Sequence, residues 1–111
     1  MNIKLPFPEW TLTTDAKIYQ RKSNRDGGND DTEFFSGKVR FDKKTKQILN
    51  ERKELITLSG MIVCKGNIYL PEMTQETPLF VSVEGMEKRV YSVNKPDNPD
   101  GSTFSTELSL I

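Results

Sequence analysis

From Phe34 to Asp42 the chain reads Phe-Phe-Ser-Gly-Lys-Val-Arg-Phe-Asp. Phe35, Val39 and Phe41 fall on one side of this alternation, and Ser36, Lys38, Arg40 and Asp42 on the other. A period of two with one apolar and one charged side predicts a half-buried antiparallel strand. Five further stretches follow the same rule. The expected fold is therefore all-β: a small barrel or sandwich of about six antiparallel strands, with long polar loops and at most one short helix.

Residues 15–21 set Ala16 and Ile18 against Lys17, Tyr19 and Arg21, and read as the first strand. In the longest apolar region, 54–70, Ile56, Leu58, Ile62 and Cys64 share a face. Gly60 is a plausible bulge there, Lys65-Gly66-Asn67 a plausible turn, and Pro71 ends a strand made of Ile68, Tyr69 and Leu70. Leu79, Val81 and Val83 then alternate into a turn at Glu84-Gly85. The chain returns through residues 89–95 with Tyr91 and Val93 on one face, the clearest hairpin in the sequence. After the turn-rich Pro-Asp-Asn-Pro-Asp-Gly of 96–101, Phe104, Leu108 and Leu110 share a face of the last strand. Such a closing strand suits a small barrel, whose closure removes exposed edges.

Two polar segments separate these strands. Residues 22–33 hold no apolar side chain and read as a surface loop. Residues 43–53 are compatible with a hairpin arm, a short helix or a disordered loop. A helix, if present, belongs there or in 73–78. Neither polar segment buries enough apolar area to offset roughly 1–2 kcal/mol of backbone entropy per residue, so both are expected to be mobile in the free subunit. Residues 1–14 form an extended N-terminal arm, because Pro6 and Pro8 hold their neighbours in a polyproline-like course. It either packs along its own barrel or reaches an adjacent subunit, with Phe7 and Trp10 as the aromatic contacts.

At 111 residues the chain is expected to be one domain, 1–111. Only 34% of residues are hydrophobic while 29% are charged, so a core of this size is readily completed against partners. The 16 basic and 16 acidic residues cancel, which gives no global pull toward nucleic acid or an anionic membrane. The lone cysteine, Cys64, fits a reducing compartment. No apolar run approaches a membrane span or a signal-peptide core, so cytoplasmic synthesis is expected.

Reactive chemistry is sparse. Without histidine the usual neutral-pH proton shuttle is missing. Cys64 lies in an apolar alternation and reads as a buried structural thiol. The acidic clusters at 26–33 and at Asp97 with Asp100 lack the spacing of a calcium loop. Neither a catalytic residue, nor a metal ligand, nor a cofactor is expected, and the chain reads as a non-enzyme. What stands out is charge: between residues 38 and 53 there are seven cations, Lys38, Arg40, Lys43, Lys44, Lys46, Arg52 and Lys53, against Asp42 and Glu51. These lysines can protect a strand edge, meet an acidic protein face, or meet nucleic-acid phosphate. The aromatic platforms a single-strand binder needs would be Phe34 and Phe41, and Phe41 faces the expected core.

In order, these signals resemble the small neck proteins of tailed bacteriophages: head-closure, stopper or head–tail connector proteins, often described as minor capsid proteins. The resemblance spans most of the chain. It is carried by Leu5-Pro6-Phe7-Pro8 before Thr14-Asp15-Ala16-Lys17-Ile18-Tyr19, by Gly37-Lys38-Val39-Arg40-Phe41-Asp42, and by Ile68-Tyr69-Leu70-Pro71. The stretch from Val81 to Val93 and the ending Phe104-Ser105-Thr106-Glu107-Leu108 complete it. Where many members have Gly-Asp before the hairpin strand, this chain has Glu76-Thr77-Pro78. The resemblance implies a β-barrel with one long internal loop. It implies assembly as a homo-oligomeric ring below the portal and its adaptor, closing the DNA channel and joining head to tail in the virion neck. The channel loop then maps to 43–53, with Lys43, Lys44, Lys46, Arg52 and Lys53 toward packaged DNA. Phe7, Trp10, Ile48 and Leu49 are the subunit-interface candidates. The main alternative is an oligonucleotide-binding-type barrel for single strands; a tail-completion or tail-tube protein shares the assembly class.

Overall fold

Alternation along the chain is realised as eight strands in a computed structural model that describes residues 6–23, 25–74 and 77–111. They are β1 (Thr14–Ser23), β2 (Asn29–Asp42), β3 (Lys46–Leu49), β4 (Leu55–Leu58), β5 (Gly60–Lys65), β6 (Leu79–Val83), β7 (Met86–Asn94) and β8 (Ser105–Leu110). Six of them close an antiparallel barrel in the order β1-β2-β5-β8-β7-β6, with β6 returning to β1. The pair β3-β4 forms a separate two-stranded sheet between β2 and β5. The inward side chains are those the alternation selects: Ile18, Val39, Ile62, Val81, Leu108 and Leu110 are fully buried. At the β6–β7 turn, Glu84 (φ 50°) and Gly85 (φ 76°) both take the left-handed region, which matches strand twist in a two-residue hairpin.

Two β-bulges alter the simple parity. Ile18 pairs with Phe35 and Tyr19 with Glu33, so Phe34 is an extra residue on β2. Both Phe34 and Phe35 therefore reach the core flank, half-buried. On β7, Val90 pairs with Leu110 and Ser92 with Ser109, leaving Tyr91 as the extra residue. The buried residue is Val90, while Val93 packs at the core edge. The expected common face of Tyr91 and Val93 is thus corrected by one inserted position.

Three further expectations change. The polar segment 22–33 is no simple loop: β1 and β2 continue into it, pairing Lys22 with Asp30 and Ser23 with Asn29. A ladder needs backbone groups rather than apolar side chains, and cross-strand charges such as Arg21 and Asp31 help hold it. Segment 43–53 takes the hairpin alternative, also on ladder bonds. Ile68, Tyr69 and Leu70 form no strand; the Ile68 N–H donates to the Thr106 hydroxyl at 3.1 Å, and the Tyr69 ring lies 6.3 Å from that of Phe34. Among the described residues the helical element is a three-residue 3-10 turn, Glu9–Thr11, within the arm expected to be extended; 43–53 and the described part of 73–78 are not helical. Leu5, Gln75 and Glu76 lie outside the described residues.

β2 is the long member, at 14 residues. One hairpin turns back at its start and the β3-β4 arm leaves from its end. The molecule is accordingly elongated, 52 × 32 × 26 Å, with a radius of gyration of 15.1 Å. A compact chain of this length would have about 13 Å.

Candidate functional site

The β3-β4 arm carries most of the basic segment. Its tip is folded by Asn50, whose side-chain oxygen accepts the backbone N–H groups of Arg52 and Glu54, both at 2.9 Å. Asparagine suits this local capping, and Lys53 takes the left-handed φ of 61° that the turn requires. At the base, Asp42 accepts the Lys44 backbone N–H at 3.0 Å. Gly60 lets β5 pass close by: a Cβ there would lie 2.8 Å from the Asp42 carbonyl oxygen. The Ser59 N–H then donates to the Leu110 carbonyl at 2.7 Å, tying the arm to the end of the barrel.

Cross-strand pairing divides the arm into two faces. Ile48 opposite Ile56 is half-buried on one. Leu49 opposite Leu55 occupies the other, and these leucines are 68% and 61% exposed. A leucine pair facing water on a basic arm is the largest apolar feature of this end.

The cations are not one cluster. Lys38 is paired with Asp15 at 3.0 Å, and Lys43 with Glu84 at 2.6 Å while lying 5.8 Å over the Phe41 ring. Lys44 and Lys46 flank a groove of about 430 Å³ at the arm base, beside Leu58 and Met61. Arg52 and Lys53 sit at the tip. Among the described residues, none of these last four has an acidic partner within ion-pair distance.

The remaining interface candidates sit at the opposite end. Phe7 stacks against Phe104, with centroids 5.3 Å apart, so it is half-buried on its own barrel. Glu9 pairs with Lys65 beside it. Trp10, 82% exposed, projects from the 3-10 turn. The structure thus joins Ile48 and Leu49 to the cations of the arm and separates both from Phe7 and Trp10.

A cluster that sequence reasoning missed lies outside the barrel on β1, β2, β6 and β7. The Arg21 guanidinium bonds Glu87 at 2.9 and 3.0 Å and Asp31 at 3.0 Å, over the Phe80 ring. The Tyr19 hydroxyl donates to the same Glu87 carboxylate. Arg21 and Tyr19 together hold Glu87 below the usual carboxylate range, while burial and then Glu87 push Tyr19 up to about 12. Glu87 is 66 residues from Arg21, so no local pattern announces the contact. Its charges are mutually satisfied, which makes it a staple across four strands.

Among the described residues no group of three or more histidine, cysteine, aspartate or glutamate side chains is placed to hold a metal ion. Burial pushes the Cys64 thiol up to about 12, away from nucleophilic use. Among the described residues no helix is long and apolar enough to cross a membrane. Compared with protein-family models, curated proteins and solved structures, the chain matches none.

Proposed function

We propose that this chain is a non-enzymatic neck subunit of a tailed phage or prophage, synthesised in the host bacterial cytoplasm. It assembles as a ring below the portal, turns its β3-β4 arm toward the DNA channel and joins head to tail. The observation that carries this reading is the arm itself: Lys44, Lys46, Arg52 and Lys53, without an acidic partner among the described residues, on the same arm as the exposed Leu49 and Leu55. The cations suit the phosphates of packaged DNA, and the leucines suit burial between neighbouring subunits. Portal, adaptor and tail proteins are the remaining partners that the resemblance implies.

Binding of free single strands is less well supported. It needs aromatic rings beside the charge, yet Phe41 is half-buried at the core and Phe34 lies seven residues farther back along β2, about 23 Å away. The barrel also has six strands where the oligonucleotide-binding fold has five.

The test is a phage carrying Lys44→Glu and Lys46→Glu, which leaves the Lys43–Glu84 ion pair in place. Filled heads should lose DNA while the isolated variant keeps its fold. Full DNA retention at normal particle yield would remove the arm from the channel. Antibody labelling along the tail rather than at the neck would favour the tail-tube reading.

A further inference from the structure

Among the described residues, sheet edges on β2 and β3 are open and differ in charge. β2 pairs with β5 only over Arg40, Phe41 and Asp42. From Asp31 to Val39 it has β1 on one side and, among the described residues, no strand on the other and no backbone hydrogen bond to a loop there. Residues 29–33 of that strand carry Asp30, Asp31 and Glu33 and no cation. Lys17, Arg21 and Lys22 lie on β1, whose own outer side is closed where the Arg21 N–H donates to the Pro78 carbonyl at 3.2 Å; the cations of β2 are Lys38 and Arg40, farther along the strand. From Asp31 to Val39 the open edge carries Asp31 and Glu33 against Lys38, whose ammonium is held by Asp15.

β3 is the counterpart. Among the described residues it has β4 on one side and no strand on the other, and Lys43, Lys44 and Lys46 lead into it. Each edge passes from charge into two adjacent apolar residues: Glu33 into Phe34 and Phe35, Lys46 through Gln47 into Ile48 and Leu49. Acidic side chains keep the β2 edge from pairing with its own kind and leave it open to a basic strand.

We infer that the β3 edge of one copy adds, strand to strand, to the Asp31–Val39 edge of β2 in the next copy. This deepens the assembly reading above by naming the contact between neighbours. Main-chain bonds provide the attachment and the matched charges its polarity, as in other strand additions. The two edges are different surfaces, so the contact is heterologous: it propagates head to tail and closes where the rotation permits a ring.

The test uses Glu33→Lys and Lys46→Glu, followed by sedimentation or native mass measurement. Glu33 is exposed and outside the Arg21 staple. Each single reversal places like charges across the edge and should weaken self-association at least about tenfold. Both reversals in one chain should restore it. Mixing the two single variants should also restore it, as assemblies in which the two alternate, because every contact between unlike copies joins opposite charges. Circular dichroism should stay unchanged throughout. The inference is overturned by a wild-type chain that stays monomeric at about millimolar concentration, or by oligomers indifferent to both reversals. Oligomers of the second kind leave the neck reading standing, since that reading is judged by DNA retention in particles.

Discussion

The guanidinium carbon of Arg21 lies 4.7 Å from the centroid of the Phe80 ring, while its nitrogens hold Asp31 and Glu87. One side chain thereby fastens β1 to β2, β6 and β7. Arg21→Lys, which has no planar fork and cannot hold two carboxylates side by side, should lower the denaturant midpoint. Arg21→Met should lower it further.

The same staple gives a pH signature. Glu87 is held below the ordinary carboxylate range of about 4.3. A depressed folded value stabilises the fold above the unfolded value and loses that contribution as pH falls through the folded one. Stability should therefore decline below about pH 4 in the wild type. In Arg21→Met that part of the decline should be smaller, as acid titration followed by tryptophan fluorescence or circular dichroism would reveal.

Gly60→Ala places a methyl group against the Asp42 carbonyl, with the Phe41 ring 3.0 Å away. Backbone on one side and a core ring on the other leave little room to yield. Overpacking of this kind costs about 1–3 kcal/mol, measurable by urea unfolding. A loss below about 0.5 kcal/mol would mean that β5 shifts freely.

Thr106 is fully buried, donates to the Gly66 carbonyl at 2.8 Å and accepts the Ile68 N–H. Thr106→Val strands both backbone groups and should cost about 1–3 kcal/mol. Thr106→Ser keeps the hydroxyl and should cost clearly less. Equal losses would assign the residue to packing alone.

The Cys64 thiol, buried and pushed up to about 12, should resist a thiol reagent at pH 8. Labelling should accelerate only as denaturant opens the barrel. Rapid stoichiometric labelling of the native protein would contradict this packing.

The barrel was legible because period-two alternation reports burial directly, and Ile18, Val39, Val81 and Leu108 sit where that rule puts them. The bulges at Phe34 and Tyr91 were hidden, since an inserted residue leaves the composition of a strand unchanged while reversing its parity. The extension of β1 and β2 was hidden because a hairpin of polar residues is held by ladder bonds that no hydropathy pattern displays. At the candidate site the charge run was legible and its division was not. Lys43 finds Glu84 and Lys38 finds Asp15 only once distant strands have met. Of the aromatic pair in the arm, Trp10 is exposed while Phe7 rests against Phe104, a contact that forms only once the last strand is in place.

β2 spans the molecule as one uninterrupted strand with a projecting hairpin at each end. A pull applied between those hairpins therefore runs along the strand axis, at right angles to its ladder hydrogen bonds with β1 and β5. Such a load must slide many bonds at once and cannot peel them one by one. A subunit held at both hairpins is mechanically strongest along that line.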